Sequence, residues 1–185
     1  MDWLFKNECF YPDDYQKTVY DINYPALLEK GIKLILIDLD NTLIPYDESE
    51  PNEKIYELFR QIEALGFKAV IISNNHFPRV KHFAEKLNSP FIASAKKPLK
   101  SGFIKALLYF PEINKQEVCV IGDQFMTDVL GAKRCGLMVI VVDAIKRKAE
   151  KWYTRINRKL EKRVLSRMKK FHNSFYQQLH LNEKR

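Results

Sequence analysis

The chain has 185 residues, 46% of them hydrophobic and 12% aromatic, which is enough for a sizeable core and too apolar for a disordered chain. No apolar run reaches the length needed to cross a bilayer, and the opening MDWLFKNECFYPDD lacks the basic flank and continuous apolar stretch of a signal peptide. The net charge of +8 is uneven: residues 146–185 hold 14 Lys+Arg against 3 Asp+Glu, so a mildly acidic domain, 1–145, precedes a strongly basic tail.

In chain order, residues 1–24 are a mixed aromatic and acidic lead-in that fits no pattern. Tyr24 to Lys30 reads as a short helix stopped by Gly31. Leu34 to Ile37 is a continuous apolar strand. Pro51 to Leu65 is a helix, with Pro51 at its first position and Ile55, Leu58, Phe59, Ile62 and Leu65 at helical spacing. Ala69 to Ile72 is a strand, Pro78 to Leu87 a helix, Phe91 to Ala93 a short strand and Leu99 to Phe110 a helix. Val118 to Ile121 and Met138 to Val142 are strands, with a helix from Thr127 to Cys135 between them that Gly136 closes. Cys9, Cys119 and Cys135 are an odd number with no metal-ligand spacing, and Cys119 and Cys135, in apolar contexts, read as reduced core residues, which implies a cytoplasmic setting.

Apolar strands alternating with helices predict an α/β fold: a Rossmann-like three-layer sandwich around a mainly parallel five-stranded sheet. Right-handed crossovers bring all strand carboxyl ends to one edge, where open α/β sheets bind ligands. That edge collects Asp38 and Asp40, then Ser73-Asn74-Asn75, then Lys96-Lys97-Pro98, then Gly122-Asp123 with Asp128, and finally Asp143. A turn would also place Asp38 and Asp40 after a strand, but bare carboxylates beside buried aliphatics are costly without a cation. A set of hard oxygen donors favours Mg²⁺ over zinc or copper. Carboxylates, a cation and a lysine together suit a phosphoryl group, with one carboxylate as nucleophile. Asp40, two residues on, projects to the same side as Asp38 and can serve the leaving oxygen.

Asp38-Leu39-Asp40-Asn41-Thr42 resembles the DxDxT signature of haloacid dehalogenase-like phosphatases. Ser73, Lys97 before Pro98, and Gly122-Asp123 through Asp128 resemble that superfamily's other three motifs in order, over roughly Ile32 to Asp143. The resemblance implies that Asp38 attacks phosphorus and binds Mg²⁺. It implies that Asp40 is the acid and base, its backbone carbonyl also binding metal, and that Thr42 supports the phosphate-binding loop. Ser73, with neighbouring groups of Asn74, would hold phosphoryl oxygens, and Lys97 would neutralise phosphate and nucleophile. Asp123 would bind Mg²⁺, and Asp128 would orient metal-bound water or Lys97. Asp143 receives no role, and His76 is a surface or supporting residue rather than a ligand.

Neither usual insertion point has room for a cap: Leu43 to Gly66 holds one helix, and His76 to Ala95 one helix and a short strand. The site is therefore expected to be open, the subclass III pattern, and to suit a phosphate at the edge of something large. The tail places Trp152, Ile156, Leu160, Val164, Met168, Phe171 and Phe175 at three- and four-residue steps, a basic amphipathic helix. Such a helix can lie on anionic lipid, bind nucleic acid phosphates, or pack on the domain with its charges solvated.

Gly31-Ile32-Lys33, Asp40-Asn41-Thr42-Leu43, Ser73-Asn74-Asn75, Lys96-Lys97-Pro98 and Gly122-Asp123-Gln124 also resemble the bacterial YqeG-type branch, which is similar to mitochondrial and plastid phosphatidylglycerophosphate phosphatases. That resemblance implies removal of the terminal phosphate from phosphatidylglycerophosphate, an anionic lipid headgroup, giving phosphatidylglycerol, while the basic tail offers peripheral contact with the inner face of the membrane. Two alternatives remain open: the same chemistry on a nucleic acid end or soluble phosphate ester, and a non-enzymatic phospho-acceptor module. Oligomeric state is not legible.

Overall fold

The computed structural model of the chain describes residues 8–146 and 152–179. Six strands form one sheet: β1 Asp14–Gln16, β2 Leu34–Ile37, β3 Lys68–Ile72, β4 Phe91–Ile92, β5 Val118–Gly122 and β6 Met138–Val142. Their order is β1-β6-β5-β2-β3-β4, and every neighbouring pair is parallel. The expected α/β three-layer sandwich is present, with no cap domain among the described residues, but the sheet has one strand more than the five expected. The additional strand is β1, in the unassigned lead-in. It is three residues long and only Tyr15 faces the core, too little for a period-two pattern to show.

Side chains of the central strands alternate between two cores. Leu34, Leu36, Val70, Val120 and Val139 face one layer, and Ile35, Ile37, Ile71, Ile121 and Ile140 face the other. On the second face lie α1 Tyr24–Glu29, α2 Glu53–Ala64 and α3 Phe77–Lys86. On the first lie α4 Lys100–Leu107 and α5 Leu130–Cys135. Asn52, not Pro51, begins α2, because its side chain accepts the Ile55 N–H at 3.2 Å while Pro51 stays outside the helix. Helix α4 is shorter than expected, ending at Leu107. The stretch expected as a helix from Thr127 instead opens with a π-helical turn, Phe125–Val129, and becomes α5 only at Leu130. Gly136 closes α5 at φ 72°, a left-handed conformation that glycine adopts without penalty.

The basic tail forms α6 Trp152–Phe171 and α7 Asn173–Gln178. Val164, Leu165 and Met168 of α6, with Tyr176 and Leu179 beyond it, are buried in the same core as Leu36 and Val120. Of the expected apolar stripe, Val164 and Met168 therefore pack on the domain and Phe171 is exposed, while the side chains of Trp152 and Ile156 lie outside the described residues. Lys159, Lys162, Arg163, Lys169 and Lys170 point outward from α6. If α6 is part of the core, Met168→Ala should cost about 2–5 kcal/mol in urea unfolding, the usual loss for a buried methionine. A change below about 1 kcal/mol, the range of surface substitutions, would mean that α6 leaves the domain in solution.

Candidate active site

The sheet order changes direction between β2 and β5, since β2 leads to β3 on one side while β5 lies on the other. The carboxyl ends of two such strands diverge and leave a crevice. Asp38 follows β2 and Asp123 follows β5, and the Asp38 N–H still donates to the Ile121 carbonyl at 2.9 Å. The two carboxylates thus enter the crevice from adjacent, fully buried strands.

Asp38, Asp123 and Asp128 are all buried, and one ligand oxygen from each lies within 4.8 Å of the others. Lys97 reaches this cluster from the loop after β4. Its Nζ donates to Asp38 Oδ1 at 2.5 Å, Asp128 Oδ1 at 2.6 Å and the Ile72 carbonyl at 3.0 Å, using all three ammonium hydrogens. Thr42 donates its hydroxyl to Asp38 Oδ2 at 3.1 Å. Asp128 Oδ2 accepts from the Gln124 N–H and the Thr127 hydroxyl, so its carboxylate is held from both sides. The wide turn at Phe125–Val129 makes this possible by folding Asp128 back beneath Gly122. A β-carbon at Gly122 would stand only 2.3 Å from Asp128 Cγ.

Burial dominates the protonation of these groups. It pushes the Asp38 carboxyl well above the usual range, with Lys97 pulling the other way and Asp128, Asp123 and Asp40 adding to the rise. Burial likewise raises Asp123, to about 6, although Arg158 lowers it. Burial alone would lower Lys97, but Asp128 and Asp38 outweigh that and hold its ammonium above its ordinary pKa. The cluster is short of positive charge. A divalent cation fits it: the donors are hard oxygens, and no donor among the described residues reaches the buried Asp123 Oδ1.

Asp40 lies at the mouth of the crevice. Its Oδ2 accepts from the Ser73 hydroxyl at 3.2 Å and Asn75 Nδ2 at 3.1 Å, while Arg79 donates from Nε to Oδ1 at 2.9 Å. The expected residues therefore converge, but not all in the expected manner. Ser73 is hydrogen-bonded to Asp40. The Asn74 side chain grips the Lys97 backbone, accepting its N–H at 2.6 Å and donating to its carbonyl at 3.0 Å. Asn74 therefore sets the position of Lys97, and its side chain is committed to that task. Thr42 is buried and reaches Asp38 rather than the open cleft. Asp143 accepts from the Tyr15 hydroxyl and ties β1 to the end of β6. His76 is exposed at the start of α3.

Sequence reasoning missed Arg79, Arg158 and Glu161. Arg79 lies in the first turn of α3, from which it reaches back to Asp40. Arg158 and Glu161 were hidden in the charge of the tail. Arg158 Nη2 donates to Asp123 Oδ2 and its Nη1 to the Asp123 carbonyl at 2.8 Å, and Glu161 accepts the Phe125 N–H at 2.7 Å. The resulting cleft, about 380 Å³, is lined by Asp38, Asp40, Ser73, Gln124, Met126 and Asn157 of α6.

A family model for haloacid dehalogenase-like hydrolases matches residues 26–136. A Bacillus subtilis (strain 168) protein named probable phosphatase YqeG is 39% identical over 161 residues, covering 87% of this chain and 92% of its own. Two solved structures share the fold. One is an uncharacterized protein from Listeria monocytogenes serotype 4b, 22% identical, with a TM-score of 0.50 over 63% of this chain and 84% of that one. The other is a hypothetical protein from Xanthomonas campestris, 19% identical, with a TM-score of 0.50 over 72% of this chain and 78% of that one. With its motif residues gathered at one sheet edge and a family match across most of the domain, the chain belongs to the haloacid dehalogenase-like hydrolases and is a phosphatase.

Proposed function

We propose that the protein is a Mg²⁺-dependent phosphomonoester hydrolase that works through an aspartyl-phosphate on Asp38. The observation that carries this reading is the buried Asp38, fixed by Lys97 and Thr42 beside Asp123 and within the open cleft. An Asp38 oxygen attacks phosphorus, the bond from phosphorus to the leaving oxygen breaks, and Asp40 gives that oxygen its proton. Asp40 then takes a proton from water as the water oxygen attacks the same phosphorus, and the bond to Asp38 breaks. Inorganic phosphate leaves, and both carboxyls return to their starting states. Lys97 offsets charge on the nucleophile and the phosphoryl oxygens, and Asp128 holds Lys97 in place. The Ser73 hydroxyl, which donates to Asp40 in this structure, would turn to a phosphoryl oxygen together with the Asn74 N–H beside it. Asp38, the Asp40 carbonyl and Asp123 would hold the magnesium ion, which when bound neutralises the charge that gathers on the phosphoryl group.

For the substrate we favour a phosphate on an anionic lipid headgroup, phosphatidylglycerophosphate by the sequence resemblance, at the inner face of the membrane. The uncapped cleft and the outward cations of α6 favour a large anionic substrate over an enclosed metabolite. The apolar stripe of α6 contributes nothing to this reading, because from Val164 onward it is largely spent on the core.

Removing the nucleophile should abolish turnover: Asp38→Asn is expected to show no Mg²⁺-dependent release of phosphate from a chromogenic ester, and a near-normal rate would remove the mechanism. Asp40→Asn should slow release by about 10²–10⁴-fold, the usual worth of a positioned acid and base, and should let acid-quenched protein retain phosphate on Asp38. For the substrate, a panel with phosphatidylglycerophosphate in vesicles, a soluble ester and a 5′-phosphorylated oligonucleotide should show highest kcat/KM on the vesicles. Preference for the oligonucleotide would replace the lipid reading and leave the phosphatase reading intact.

A further inference from the structure

Asp123 has two carboxylate oxygens in different situations. The side chain is fully buried. Its Oδ2 is taken by Nη2 of Arg158, whereas Oδ1 meets no donor among the described residues. Arg158 is fixed in turn. Its Nη1 donates to the Asp123 carbonyl at 2.8 Å and to Glu161 at 3.0 and 3.2 Å, and Glu161 accepts the Phe125 N–H. Helix α6 thereby grips the loop after β5 at Asp123 and again at Phe125. A planar guanidinium held on both edges has little freedom to release Oδ2.

The two common divalent cations respond differently to such a ligand. Calcium takes about 6–8 oxygens at longer distances and readily accepts both oxygens of one carboxylate, whereas magnesium demands a compact octahedron and keeps several waters. An aspartate with one oxygen already occupied serves the second ion and handicaps the first. We propose that Arg158, anchored by Glu161, is a selectivity-determining residue: by occupying Asp123 Oδ2 it confines Asp123 to a single ligand oxygen and favours Mg²⁺ over Ca²⁺ at this centre. The inference rests on the proposed reading that a divalent ion is held between Asp38 and Asp123. It assigns the basic C-terminal helix a part in the chemistry that its charge alone does not suggest.

The test is a ratio, because removing the guanidinium changes the attraction for both ions alike and only the geometry separates them. Dissociation constants for Mg²⁺ and Ca²⁺ would be measured by titration calorimetry on the full chain, with thermal melting to establish folding. In Arg158→Gln the Ca²⁺-to-Mg²⁺ ratio of dissociation constants should fall about tenfold from wild type, the low end for loss of a residue that orients a metal ligand. Arg158→Lys keeps the charge without the fork and should fall between the two. A ratio in Arg158→Gln within about threefold of wild type, well inside that tenfold effect, overturns the proposal. If Arg158→Gln does not fold, Arg158→Lys and Glu161→Gln decide by the same ratio: a fall supports the proposal and a wild-type ratio overturns it. A wild type that binds neither ion rejects the metal reading itself, whereas unchanged selectivity in variants that do bind rejects this inference alone.

Discussion

The site is organised by one interaction: a buried ammonium, Lys97, shared between the buried carboxylates of Asp38 and Asp128. Breaking such a pair costs more than forming it contributes, because the remaining charge is stranded in a medium that solvates it poorly. Much of the surrounding structure follows from keeping Lys97 in place. Asn74 clamps its backbone, Gln124 and Thr127 brace Asp128, and Thr42 braces Asp38. The bare Gly122 lets Asp128 approach the end of β5 closely enough to reach the lysine. Lys97 and Arg158 face four buried carboxylates, Asp38, Asp123, Asp128 and Glu161. With all four ionised, two negative charges remain. Burial is the first cause of the upward shifts of Asp38 and Asp123, neighbouring carboxylates add to both, and a divalent cation would offset them with Asp123 ionised.

A second consequence concerns how the open site is completed. Among the described residues no inserted domain covers the crevice, and helix α6, late in the chain, walls one side. One face of α6 is hydrophobic and seals the core beside β5, its Arg158 and Glu161 are held against the loop after β5, and its outer face is cationic. The basic tail and the catalytic domain are thus joined through the residue expected to bind metal. A change in α6 should be felt at Asp123 before it is felt at any distant surface.

Much of this was legible in the sequence, for physical reasons. The inner strands are largely apolar runs because both faces of a parallel sheet are buried, so Leu34–Ile37 was legible in full and β5 was legible from Val118 to Ile121, one residue short of its end at Gly122. Carboxylates placed directly after such runs marked the functional edge. What escaped notice depends on contacts between distant residues. β1 has a single inward side chain and is a strand only because β6 offers it a free edge. Asn74 was expected at the phosphate, yet its amide is engaged by a peptide 23 residues away. Arg158 was one cation among 14 in the tail, and nothing local distinguishes it from Lys159, which is solvated. Thr127 to Val129, expected as the start of an α-helix, belongs instead to the wide turn Phe125–Val129, whose altered hydrogen-bond register leaves no mark in side-chain periodicity.

The central claim is that the buried acidic cluster is completed by a divalent cation. Its most direct test is thermal unfolding of the wild-type chain and of Asp123→Asn across a MgCl₂ series, with KCl matched for ionic strength. A ligand that binds only the folded state stabilises it by about 2.7 kcal/mol at one hundred times its dissociation constant. The account predicts that the wild-type midpoint climbs steadily with Mg²⁺ and that the Asp123→Asn midpoint stays flat. A wild-type midpoint that follows ionic strength alone would contradict it.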